Sequence, residues 1–269
     1  MVGNLRSGPA PAYTAPVRSS AWLGILLSVA SVAGVAYARP TTVVPTVRHS
    51  SRSIGLPFEG RLAGGVALRE TVALRFTPEY ARGGNFFGTW ELVQMLHRAA
   101  FGVARRFPGS KLSVGEISKV GGGPLPGHNS HQNGRDVDLA FYMLDGRGRP
   151  FEPWAFAEFD ELGRGLGPNE GLRFDDARNW ELVAKLVSDA DARVQFVFVG
   201  QGLRRRLLAE AARRNASPSL IARAQRVLVQ PAQGHPHRNH FHVRIYCGNG
   251  SPRCEDRAPF HPWYRGPRR

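Results

Sequence analysis

The chain of 269 residues and 29.5 kDa is 42% hydrophobic and 21% charged, which excludes a disordered chain and suffices for one large or two small globular domains. It is strongly basic, at +15 with a pI of about 11.1, and nearly all of that charge is arginine, since Lys111, Lys119 and Lys185 are its only lysines. Such a balance suits an anionic partner, but the arginines are scattered (as in "RRR" at Arg204–Arg206) rather than interleaved with aromatics, which argues against a nucleic-acid groove.

In chain order, Arg6 and Arg18 precede the apolar run "AWLGILLSVASVAGV" and the small-x-small site Ala36-Tyr37-Ala38. Together these predict a secretory signal peptide over residues 1–38. The run falls short of the ~20 residues a membrane span needs, so no stable membrane insertion is expected once the signal is cleaved; a retained anchor is the alternative. Residues 39–59, rich in Pro, Ser and Thr, read as a linker. The main domain is expected over residues 60–256, followed by a basic C-terminal tail over 257–269.

Within the domain, "GGVALRETVALRF" alternates as one or two strands. Thr89 caps an amphipathic helix, "WELVQMLHRAAFGVARRF", with Leu92, Leu96, Ala99 and Val103 on one face. "KLSVGEIS" reads as a strand. "RDVDLAFYM" is a strand with Asp136, Asp138 and Ala140 facing one way and Val137, Leu139 and Phe141 the other. "ARNWELVAKLVSDA" is a helix, "VQFVFVG" a buried strand and "LRRRLLAEAARR" a helix. Ser217-Pro218 opens another helix toward Val227, and "HFHVRIYC" is a final alternating strand. "GGG" at Gly121–Gly123 lacks the strand–loop–helix setting and the lysine of a phosphate loop. The irregular succession predicts a single-domain α+β fold, with a mainly antiparallel sheet flanked by helices. Cys247 and Cys254, the only cysteines, flank the turn-rich "GNGSPR" and are expected to form a disulfide in an oxidising compartment.

Chemistry concentrates in two short windows, "GHNSHQNGRDVDLAF" and "GHPHRNHFHVRIYC", which hold six of the nine histidines. Residues two apart in a strand share a face, so His240 and His242 project together. His131 lies just before a strand and Asp138 on it. Two imidazoles and a carboxylate make a three-ligand zinc set with one position open. Zinc there would acidify water and polarise a carbonyl, with a nearby histidine as general base. An adventitious metal-binding surface or a hydrogen-bonded core network of histidines are the competing readings.

"GHNSHQNGRDVD" and "HRNHFHVR" resemble the two signature segments of the penicillin-insensitive murein endopeptidases. These belong to the LAS group of zinc peptidases, with the pattern H-x6-D and a distal H-x-H. The likeness extends through "NFFGTWELVQMLHRAA", "ISKVGGGPLPGHNSH", "FDDARNWELV" and "VFVGQGLRRRLLAEA", roughly Asn85 to Cys247. By that resemblance His131, Asp138 and His242 match the zinc ligands, and His240 the base or transition-state stabiliser. His128 and His237 match further site histidines. Some members are described with a second metal held by a downstream Asp-x-x-His pair; this chain has no histidine between His131 and His235, so His128 is expected to touch the ligands or the substrate instead. Asp136 is read as a partner of the ligands.

The resemblance implies a LAS-type peptidase fold and a periplasmic, zinc-dependent D,D-endopeptidase. Its substrate would be peptidoglycan, an anionic cell-wall polymer, cut at D-alanyl-diaminopimelyl cross-links without an acyl-enzyme. The absence of S-x-x-K and G-x-S-x-G motifs agrees with that and with β-lactam insensitivity. A D-Ala-D-Ala carboxypeptidase or dipeptidase would use the same ligands, and a non-catalytic wall-binding module would keep the fold without needing them.

Overall fold

A computed structural model describes residues 51–267. The expected signal peptide and most of the expected linker lie outside the described residues. The body opens with an antiparallel hairpin, β1 (Arg52–Leu56) and β2 (Glu59–Ala63). There follow β3 (Val66–Ala67), β4 (Leu74–Phe76), the short helix α1 (Pro78–Ala81) and β5 (Phe87–Gly88). Helix α2 (Trp90–Arg106) starts where Thr89 Oγ1 accepts the Leu92 N–H, and it ends with Arg105 and Arg106 against the negative end of its dipole. Leu92, Leu96, Ala99 and Val103 are all buried, as their spacing predicts.

Next come β6 (Leu112–Val114), β7 (Asp136–Ala140), β8 (Met143–Leu144), β9 (Pro150–Phe151) and β10 (Arg173–Phe174). Helix α3 (Asp176–Ser188) is capped by Asp175, β11 (Val194–Phe198) leads to α4 (Gln201–Arg213), and Ser217 caps α5 (Pro218–Val227). The chain then enters β12 (Leu228–Val229) and finally β13 (His240–Ile245).

Six strands form the main sheet, in the order β12-β11-β13-β7-β6-β4. Its three inner pairings are antiparallel, while the edge pairs β11–β12 and β4–β6 are parallel. The α+β architecture is therefore as read, with parallel edges added. One face of the sheet supplies Val137, Leu139, Val197, Phe241 and Val243, which pack with the apolar stripes of α2 to α5 into the core. The opposite face of β7 and β13 carries Asp136, Asp138, His240, His242 and Arg244, as a two-residue period requires. Phe196 and Phe198 share that face through their register with Arg244 and His242 and are only half-buried, so β11 is less buried than its apolar run suggests.

Other differences from the sequence reading have local causes. The strand expected over "KLSVGEIS" is regular only to Val114: beyond it Gly115 N–H donates to Asp138 O and Asp138 N–H to Glu116 O, so Gly115 and Glu116 together oppose Asp138 as a bulge against β7. "RDVDLAFYM" breaks after Ala140, where the Asn179 side chain accepts the Tyr142 N–H at 2.9 Å and donates to its carbonyl at 2.7 Å. The ordered body also overruns both expected boundaries. The hairpin begins at Arg52 and is tied at Gly55 to Arg253 and Glu255. Beyond residue 256, Trp263 Nε1 donates to Val194 O at 2.8 Å and the His261 ring bonds Gln195 O at 3.0 Å, so this stretch edges the sheet. Cys247 and Cys254 form the expected disulfide, with Cα atoms 5.8 Å apart. "GGG" is structural: Gly122 and Gly123 adopt φ of 68° and 80°, and Gly123 N bonds Gln132 O just before the first site strand.

Candidate functional site

Both histidine windows meet in one cleft of about 520 Å³ on the open face of the sheet, lined among others by His128, His131, Asp138, His237, His240 and His242. The β7–β13 register sets Asp138 across from His242 and Asp136 across from Arg244. His131 joins them from the loop before β7, held in the left-handed region at φ 67°, while His237 sits at φ 52° before β13. Two non-glycine residues in that costly conformation within one cleft are a sign of geometry held for function.

The hydrogen bonds around the inner residues decide where their lone pairs point. His131 Nδ1 lies 2.8 Å from Ile117 O, a pure acceptor, so this nitrogen carries the proton and Nε2 presents a lone pair. His242 Nε2 lies 3.2 Å from Asp136 Oδ1, which leaves Nδ1 turned toward Asp138. The three facing atoms form a small triangle. His131 Nε2 is 3.3 Å from Asp138 Oδ1, His242 Nδ1 is 3.1 Å from the same oxygen, and the two nitrogens are 3.3 Å apart. Four-coordinate zinc with bonds of ~2.0–2.1 Å has ligand–ligand edges of about 3.3–3.4 Å. Asp138 Oδ1 is buried and receives no hydrogen bond from the described residues, a costly state for a carboxylate unless a cation completes it. The donor set thus fits a metal ion.

His128 widens the set. With His131 and Asp138 it brings three ligand atoms within 4.8 Å of one another, a group able to hold a metal ion. Its Nδ1, however, faces the other oxygen, Asp138 Oδ2, at 3.5 Å. Its Nε2 is 2.8 Å from Glu116, whose second oxygen takes a 2.7 Å bond from Asn85.

Charge follows the same plan. Burial pushes the Asp138 carboxyl up, but His131 and His240 outweigh it and hold it well below the usual carboxylate range. Asp136 is likewise held low against its burial, by Arg244 first and His242 next. Glu116 is lowered too, its hydrogen bonds from His128 and Asn85 overcoming burial. Between two carboxylates, His242 is pushed up to about 9 despite its burial. A proton is thus drawn to the spot that a cation would take. His237 is pushed down to about 3 by burial and by the neighbouring His240 and His242, so it is neutral. His240 Nδ1 lies 2.8 Å from Asn239 Oδ1, and its Nε2 faces Asp138 Oδ1 at 3.4 Å.

Every site residue named from the sequence lies in or directly against this cleft, Asp136 beneath it. Three supports were missed. Glu116 lies in a stretch read as strand, and Arg244 was passed over as a strand residue although its place two beyond His242 put it on the site face. Arg135 is buried and pairs with Asp256 at 2.6 Å, tying the first window to the segment after the disulfide. Only the two-residue period could have found one of them, Arg244.

A family model described as penicillin-insensitive murein endopeptidase matches residues 53–263. Curated proteins of that name are similar to this chain. One from Klebsiella pneumoniae subsp. pneumoniae is 28% identical over 246 residues, covering 90% of this chain and 82% of that protein. One from Salmonella heidelberg is 27% identical over 262 residues, covering 92% and 88%.

Proposed function

This chain belongs to the penicillin-insensitive murein endopeptidase family and is a peptidase, and from that premise we propose that it is a zinc-dependent D,D-endopeptidase of peptidoglycan. The bonds cut would be the D-alanyl-diaminopimelyl amide cross-links. The carrying observation is the triangle of lone pairs from His131 Nε2, Asp138 Oδ1 and His242 Nδ1. We assign the metal to this set rather than to the group containing His128, because its edges are shorter and both imidazole tautomers are fixed by their other nitrogens.

Zinc bound there would polarise the scissile carbonyl and make water a nucleophile near neutral pH. The chain's own residues do the rest. His240, whose Nε2 faces Asp138 at 3.4 Å, accepts a proton from the attacking water and returns it to the leaving amine. His237, neutral and close to both distal-window histidines with ring centroids 5.0 Å and 5.7 Å away, has its Nδ1–H committed to His235 O at 2.7 Å, so its Nε2 accepts from the N–H of the reacting amide. Asp136 holds His242 in its tautomer, and His128, steadied by Glu116, contacts the substrate or Asp138. No serine is used, in keeping with β-lactam insensitivity.

Action on the wall places the enzyme outside the cytoplasm. Export to the periplasm by the signal at residues 1–38 fits that, and no helix among the described residues is long and apolar enough to cross a membrane. The basic surface suits an anionic polymer. The test is metal analysis with digestion of purified cross-linked muropeptides. One zinc per chain and release of uncross-linked monomers are expected. His131→Ala, Asp138→Ala and His242→Ala should each lose both. Cleavage that persists in a chelated, zinc-free enzyme would refute the reading, and release of only terminal D-alanine would favour a carboxypeptidase.

A further inference from the structure

We propose that Phe156 is the positioning residue for His240, and that residue 115 is glycine to make room for it. The inference rests on the role proposed for His240. The inner histidines are anchored to buried groups: His131 to Ile117 O and His242 to Asp136. Among the described residues, the His240 ring makes its hydrogen bond to Asn239, its own neighbour in the chain and itself partly exposed. That bond fixes the tautomer but leaves the ring free to swing with the Asn239 side chain. A second constraint is needed, and the structure has one. The Phe156 ring stacks on His240 with centroids 4.7 Å apart and planes 24° apart, while His237 closes in edge-on at 5.0 Å and 62°. The imidazole is thereby clamped with Nε2 toward Asp138.

Phe156 is itself wedged. Tyr80 packs against it at 4.7 Å, and its tip lies over Gly115, where an added Cβ would meet Phe156 Cζ at 2.4 Å and Cε2 at 3.2 Å. Gly115 is not among the glycines with positive φ, so its backbone makes no demand for glycine. The demand is spatial. Any side chain there would push the phenyl ring off its seat and so off His240. The same added Cβ would lie 3.3 Å from Asp138 O, so a variant at Phe156 is needed to separate the clamp from any pressure on the metal ligand. A proton-transfer group must be held at the right place before the reaction, and a misplacement of ~1 Å can cost about 10²-fold in rate.

The experiment compares the zinc-loaded full chain with Phe156→Ala, Gly115→Ala and the double variant, with Phe156→Leu as a variant that keeps the apolar bulk. Zinc content, kcat and KM on cross-linked muropeptide are measured, together with the NMR shifts of the His240 ring protons. Both alanine variants should keep one zinc per chain and a near-normal KM while kcat falls about 10- to 100-fold. The double variant should be no worse than Phe156→Ala alone, because Gly115→Ala acts only through that ring. Phe156→Ala and Phe156→Leu should both remove the aromatic ring-current shift of the His240 protons. Multiplicative losses in the double variant, zinc loss in Phe156→Ala, or His240 resonances indifferent to Phe156 would each overturn the proposal. The NMR arm needs no turnover: a wild type that cleaves no muropeptide refutes the function proposed above, whereas unshifted His240 resonances refute the clamp.

Discussion

Asp136→Asn is the most informative single change in the site, because it removes one charge and one acceptor while keeping the shape. Asp136 is 0% exposed. Its two oxygens receive the His131 N–H at 3.2 Å, His242 Nε2–H at 3.2 Å, and Arg244 Nε and Nη2 at 2.6 Å and 3.2 Å. Asparagine has one acceptor oxygen, so its NH2 must face at least one of these donors, and the part-buried Arg244 cation loses its counter-charge. Breaking a buried pair from one side costs about 3–5 kcal/mol; with one acceptor retained the low end applies, ~3 kcal/mol. For a domain of this size that is roughly 6–12 °C in Tm, at about 2–4 °C per kcal/mol. His242 also loses the partner that fixes its tautomer, so zinc affinity should fall about 10- to 100-fold. Competition with a chromophoric chelator and thermal unfolding of the zinc-loaded and zinc-free protein measure both effects. Saturating zinc should still restore one ion per chain. Unchanged zinc affinity would refute the assignment of Asp136 as the support of His242, and a complete loss of zinc at saturation would make Asp136 itself a ligand.

His240→Ala should keep near-normal zinc yet lose roughly 10²-fold or more in turnover; if it strips zinc while His242→Ala retains it, the two roles are reversed. Cys247 and Cys254 should resist thiol labelling until reduced, and since the bridge has a sequence separation of 7, replacing both with serine should cost about 2.5 kcal/mol, roughly 5–10 °C in Tm; a Tm unchanged by that replacement would refute it. In the zinc-free protein, His237, pushed down to about 3, and His261, lowered by burial, bind fewer protons folded than unfolded, so stability should fall as pH drops below ~6.5. His242, raised to about 9, acts oppositely: its contribution is present below ~6.5 and is lost as pH rises through 9, so His242→Ala should flatten that alkaline decline in Tm.

What was legible in the sequence is what depends on near neighbours. The period of two put His240 and His242 on one face, and the caps at Thr89 and Ser217 marked helix starts because each bonds a backbone N–H three residues on. What was hidden depends on pairs far apart in the chain. Phe156 meets His240 across 84 positions, and Glu116 meets His128 from a bulge in which Gly115 and Glu116 both oppose Asp138, an irregularity no alternation pattern displays. The start of the body was misplaced for another reason. Five residues, "RSIGL", next to a Pro- and Ser-rich stretch carry too few alternations to show a strand, and this one, paired with β2, is tied to the body by Ser251, Arg253 and Glu255, about 200 positions away.

Asp136 and Asp138 show how such distant pairing assigns chemistry. They are identical residues on one face of one strand, two apart, and both are buried. Much of their difference comes from β13, beside the loop that brings His131 to both. The antiparallel register sets Asp136 opposite Arg244, which brings a permanent cation with directed N–H groups. The same register sets Asp138 opposite His242, whose Nε2–H is committed to Asp136 and whose Nδ1 is the atom left for a proton or a metal ion. Asp136 is therefore satisfied by the protein, while Asp138 Oδ1 is left facing the nitrogens of His131, His240 and His242. A strand slip of two residues would preserve every face and every pattern visible in the sequence, yet would move Arg244 off Asp136 and destroy the distinction. The site is specified by register, and register is held by the apolar face beneath it, where Val137 sits across from Val243 and Leu139 across from Phe241 in the core.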